Sequence, residues 1–122
     1  MSHIVTIKTE IRDVAALSAA CARLGLSPPV HGTARLYEKE VTGQIVQLPG
    51  WVYPLVIDTA QRHIALDNFQ GAWGDPKELD KLLQAYACEK AKLEARKAGH
   101  SVTEQTLADG SIKLTVRVAG GA

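Results

Sequence analysis

Apolar and polar positions alternate with a period of two over Ile4 to Thr9, where Val5 and Ile7 oppose Thr6 and Lys8, so the chain opens on a strand with one wet face. The period then lengthens. Asp13 can cap a helix, Val14, Leu17, Cys21 and Leu24 recur on one helical face, and Gly25 with Ser27-Pro28-Pro29 stops it. From Thr33 to Asn68 the period returns to two. Strands are predicted at Ala34 to Val41, Gln44 to Leu48, Tyr53 to Asp58 and His63 to Asp67. Their separators, Thr42-Gly43, Pro49-Gly50 and Thr59 to Arg62, are too short for crossover helices, so neighbours should be hairpin-connected. Leu55-Val56-Ile57 is apolar on both faces, as in a covered central strand.

A second helix starts where Asp75 caps, Pro76 fits the first position and Glu78 can reach back. It runs to Ala98 with Leu79, Leu82, Leu83, Tyr86 and Leu93 on its apolar stripe, and Gly99 ends it. Lys90, Lys92, Arg96 and Lys97 crowd the last turns, where cations oppose the negative end of the helix dipole. A hairpin follows, Val102 to Leu107 and Ile112 to Val118 around Ala108-Asp109-Gly110, and Ala119 to Ala122 reads as a frayed tail. The order βαββββαββ predicts a single α+β domain over residues 1–122. In it a curved antiparallel sheet carries one short and one long helix on one face. In architecture alone this resembles the half-repeat of TATA-binding-protein-like folds, which implies no function. An edge strand, either the first or Ile112 to Val118, keeps unpaired backbone groups, and a two-fold homodimer is the expected cover.

A hydrophobic content of 46% in 122 residues is enough for one core without a disulfide staple. The net charge of +1 argues against the one-sided field of a nonspecific nucleic-acid binder. Cys21 and Cys88 fall within helical patterns far apart in sequence, and both are expected to be buried thiols. No apolar stretch approaches the ~18 residues of a membrane span and Met1 to Val5 lacks a signal pattern, so a cytoplasmic location is expected.

The stretch from Leu48 to Asp75 holds both tryptophans and the only phenylalanine, set among Gly, Pro and Asn. Trp51 and Tyr53 would share a face if a strand began there, and Trp73 closes a loop that feeds the long helix. Asp67 and Asn68 open that loop. With a histidine brought in by the fold, His31 or His100, these residues form the candidate ligand-binding set. An aromatic wall beside free helix N–H groups would suit an anionic or planar ligand such as a nucleotide. The competing expectation is that both tryptophans plug the ends of a sheet-helix core. Asp58 and Asp67 should lie at opposite ends of one hairpin, which disfavours a carboxylate dyad. The histidines have no zinc spacing, no serine sits in a Gly-x-Ser-x-Gly elbow, and no phosphate loop can be read. No catalytic residue, metal or cofactor is therefore predicted. The expected function is a non-catalytic binding or adaptor protein with a protein partner. The alternative is a small-ligand or nucleotide-binding protein, catalytic or not, at the aromatic turns.

Several short phrases also resemble one family. Ser2-His3-Ile4, Leu48-Pro49-Gly50-Trp51, Tyr53-Pro54, Ile57-Asp58, Asp67-Asn68, Gly71, Trp73-Gly74-Asp75 and Asp109-Gly110-Ser111 are similar to phrases of the uncharacterised family called hypothetical chloroplast reading frame thirty-five, found in cyanobacteria, algal plastids, other bacteria and phages. The resemblance spans nearly the whole chain. It implies a small accessory protein acting beside an AAA-type ATPase encoded nearby, and it carries no activity, cofactor or catalytic residue onto these positions.

Overall fold

A computed structural model describes residues 5–37 and 39–118; His3, Ile4, Glu38 and the Ala119 to Ala122 tail lie outside the described residues. Among the described residues, seven strands and two α-helices follow one another as β1 (Val5–Lys8), α1 (Val14–Arg23), β2 (Val30–Leu36), β3 (Lys39–Val46), β4 (Leu55–Asp58), β5 (His63–Leu66), α2 (Pro76–Lys97), β6 (Ser101–Thr106) and β7 (Ile112–Arg117). The fold is α+β and its strand pairs are antiparallel. Both helices start where the sequence places them. Asp13 accepts the N–H groups of Ala15 and Ala16, and Asp75 accepts that of Lys77 ahead of Pro76. Gly25 and Gly99 follow the helix ends with φ of +72° and +81°, the left-handed geometry that favours glycine.

The strands form two sheets rather than one. Five are ordered β1-β5-β4-β3-β2, and β6-β7 is a separate ribbon. Apolar residues of β6 and β7 explain the separation, since Val102, Ile112 and Leu114 are half-buried and the ribbon packs on α2 instead of on the larger sheet. Charge fixes it there. Arg23 of α1 lies 2.6 Å from Glu104 of β6 and 3.2 Å from Glu89 of α2, while Lys92 of α2 lies 2.9 Å from Glu104 and 2.8 Å from Glu89. This closed ring holds both carboxylates between two cations, and Arg23 and Lys92 pull the Glu104 carboxyl below its ordinary range.

One face of the five-stranded sheet meets both helices. Val46, Leu55, Ile57, Ile64 and Leu66 from the strands join Leu17 and Cys21 of α1 and Leu82 and Tyr86 of α2 in the main core. The Tyr86 hydroxyl accepts the N–H groups of Arg12 and Asp13, which locks the entry of α1 against α2. Lys90 adds a 2.9 Å ion pair to Asp13.

The other face carries a second, smaller core, and here one predicted turn moves. Thr42-Gly43 is not a turn but lies inside β3; the hairpin turns after Leu36, at Tyr37. Gly43 faces Gly32 across the register, and a Cβ on Gly43 would lie 2.6 Å from the Ile57 carbonyl oxygen. Glycine is needed there for close backbone approach rather than for a turn. Because β3 pairs with β4 only over Gln44–Val46, residues 39–43 run past β4 and pair with β2 alone. Yet Ala34, Leu36 and Val41 pack against Val56 of β4 and Ala65 of β5. A straight hairpin would carry Leu36 more than 10 Å past those strands at about 3.3 Å per residue, so the hairpin arches back over the sheet. The Gly32–Gly43 pair, without side chains, is where it can bend.

Candidate functional site

The arch sets its tip beside the loop that leaves β5. In that loop the Asn68 carbonyl accepts the N–H groups of Gly71 at 3.0 Å and Trp73 at 2.8 Å, and the Asn68 side-chain amide donates to the Gly74 carbonyl at 3.4 Å. A further bond from Val52 N–H to the Trp73 carbonyl, 2.8 Å, ties the loop to the segment before β4. The loop is thus a closed frame, and Trp73 projects from it as the centre of an aromatic cluster. Its ring stacks on Phe69 with centroids 4.7 Å apart and planes 24° apart. Tyr37 from the arch tip lies at 5.7 Å and Tyr53 meets Trp73 edge-on at 5.8 Å. Both spacings suit aromatic pairing. Phe69 and Tyr37 remain 39% and 40% exposed, so the cluster is a surface as well as a packing unit.

Two of these rings stand on unusual backbone. Phe69 has φ of +47° and Tyr37 of +21°, a region that side chains of this bulk rarely adopt. Two positions before Phe69 in the chain, Asp67 is 0% exposed with neither carboxyl oxygen hydrogen-bonded among the described residues.

No family model, no curated protein and no solved structure matches this chain.

Of the residues expected to share a site, Tyr53 and Trp73 meet, Asn68 frames their loop and Asp67 precedes it, whereas Trp51 reaches that loop only from the core side, at Gly74 and Asp75. The strand begins at Leu55 rather than at Trp51, so the period of two does not hold across residues 51–53. Trp51 is buried in the main core, while Tyr53 packs against the smaller one on the opposite side of the sheet. Trp51 is a plug, as the competing expectation had it for both tryptophans, whereas Trp73 belongs to neither core. The histidines stay apart from the cluster. His31 is exposed on β2 opposite Gln44, and the strand alternation turns it away from Ala34 and Leu36. His100 follows the far end of the 22-residue α2, about 33 Å along the helix from the aromatic loop. A nucleotide on the N-terminus of α2 fares no better, because the Asp75 carboxylate already accepts the Lys77 N–H there and would repel an anion.

Sequence reasoning missed Tyr37, because placing the turn at Thr42-Gly43 buried it inside a predicted strand. Phe69 stood in the loop as the one phenylalanine and was legible only as part of it.

Elsewhere, a groove of about 520 Å³ runs between residues 8–12 and α2, with Ile11, Leu83, Tyr86 and Ala91 among its lining. Its one aromatic hydroxyl is already engaged by backbone. The basic cluster at the end of α2 is largely paired, Lys90 with Asp13 and Glu94, Lys92 with Glu89 and Glu104, and Lys97 with Glu94. That supports its reading as a helix terminus. Cys21 and Cys88 are buried, and desolvation pushes both thiols up, away from the reactive thiolate. Among the described residues no helix is long and apolar enough to cross a membrane.

Proposed function

We propose that this is a non-catalytic binding or adaptor protein that holds a protein partner on the aromatic patch of Tyr37, Tyr53, Phe69 and Trp73. The observation that carries the reading is the exposure of Phe69 and Tyr37 on positive-φ backbone around a rigidly framed Trp73. Burying rings of this kind is how interface centres gain most of their energy, and strained backbone gathers at binding sites. The family resemblance points to an AAA-type ATPase as the partner. The double variant Tyr37→Ser/Phe69→Ser should keep the circular-dichroism spectrum of the parent and lose at least about tenfold in affinity for the co-purifying partner. Unchanged capture by the double variant, or turnover by the purified protein that disappears with Asp67 or His100, would overturn the reading.

A second copy of the chain is the other partner we propose. Val116 and Val118 are 48% and 60% exposed at the end of β7, whose outer edge is unpaired among the described residues. Pairing two such edges would cover both the backbone groups and the valines. Light scattering at micromolar concentration should give about twice the chain mass, returning to one chain in Val116→Lys. A single-chain mass for the parent would remove the dimer from the proposal.

A further inference from the structure

We infer that the aromatic patch receives an arginine side chain of the partner protein, with Asp67 as its counter-charge, a reading that rests on the patch being the partner-binding surface. Three independent features meet there. The first is Asp67 itself, fully buried with both carboxyl oxygens unbonded among the described residues. Asp67 follows Leu66, the last residue of β5, at the point where the chain leaves the sheet for the aromatic loop. A buried polar group without partners is costly, and native proteins rarely keep one that has no task.

The second feature is the ring cluster, and the third is its backbone. Asp67 immediately precedes the loop that carries Phe69 and Trp73, and Tyr53 bridges the smaller core to Trp73. Among the described residues, those other than glycine with positive φ are Tyr37, Arg62 and Phe69, so two of the three belong to this patch. Asp67 is fully buried, so an incoming side chain reaches it only when its cover moves.

The chemistry selects the occupant. A carboxylate accepts hydrogen bonds through two oxygens, and the planar guanidinium fork donates two in parallel. Guanidinium also stacks on aromatic faces and gives up its hydration more readily than an ammonium does. The described ion pairs of Arg23, Lys81, Lys90, Lys92 and Lys97 all go to other carboxylates, so none of these cations fills the place.

The test is a nuclear magnetic resonance titration of the intact protein with the blocked tripeptide Ala-Arg-Ala, set against the same peptide with citrulline, which is isosteric and uncharged. The arginine peptide should give saturable shifts in the Trp73 indole and the amides of residues 67–74, with citrulline binding roughly tenfold weaker. Asp67→Asn should abolish the response while raising the melting temperature by a few degrees, because a binding group that strains the fold stabilises it when neutralised. Equal responses to the two peptides, or binding retained by Asp67→Asn, would overturn the assignment. Should Asp67→Asn fail to fold, the peptide pair on the parent protein still decides. If Tyr37→Ser/Phe69→Ser loses its partner while neither peptide discriminates, the arginine fails alone and the binding surface stands.

Discussion

Replacing Trp51 with alanine is expected to cost about 3 to 5 kcal/mol of stability, measured by urea unfolding, the range for deleting a buried tryptophan. Trp51 is 5% exposed among residues of both helices and of the sheet face beneath them. Its indole N–H donates to the Asp75 carbonyl at 3.1 Å, so the ring that fills the core also anchors the cap of α2. The loop backbone lies flush on it, for a Cβ on Gly74 would overlap the indole. Alanine would therefore remove packing, a hydrogen bond and the surface that shapes the loop. Trp73→Ala should cost only about 1 to 2 kcal/mol, because its ring is partly exposed and lies outside both cores. The same two variants separate packing from recognition: partner affinity should fall with Trp73→Ala in a protein that is still folded. If the two tryptophans cost the same, the division between plug and patch is wrong.

The elements were legible because their signals are local. Asp13, Asp75, Pro76, Gly25 and Gly99 mark helix ends through backbone chemistry that does not depend on the rest of the fold, and all act as their positions suggest. What the sequence hid was set by contacts distant along the chain. Gly43 reads as a turn residue by composition, and only the approach of β4 reveals why it is glycine. Misplacing that turn concealed both the arch and Tyr37, one of the four rings of the aromatic patch. The separate β6-β7 ribbon was hidden for a similar reason, since a hairpin's own alternation does not say whether it will pair with a sheet or lie on a helix. The candidate site was legible as a region. Tyr53 and Trp73 meet in the loop that Asp67 and Asn68 open, but His31 and His100 were joined to them by residue type, which does not measure distance in the fold, and Trp51 reaches the loop only from the core side.

The rotation of α2 about its axis gives the other large expected effect. Leu82 and Leu83 are adjacent, so they point about 100° apart around the helix. Leu82 is fully buried in the main core against the sheet, whereas Leu83 is half-buried at the margin, where it also lines the groove beside Ile11 and Tyr86. Leu82→Ala should cost about 2 to 5 kcal/mol, a transfer loss plus a cavity that the β-sheet beneath cannot collapse to fill. Leu83→Ala loses only the buried part of its side chain and opens onto solvent, which sets it at about 1 to 2 kcal/mol. Urea unfolding of the two variants checks the order. The reverse order would mean that the helix presents Leu83 to the sheet, a turn of the whole apolar stripe. That turn would also carry Tyr86 away from the Arg12 and Asp13 amides that it now accepts. Stability and the α1–α2 junction are thus read by one pair of substitutions, because both depend on the same face of α2.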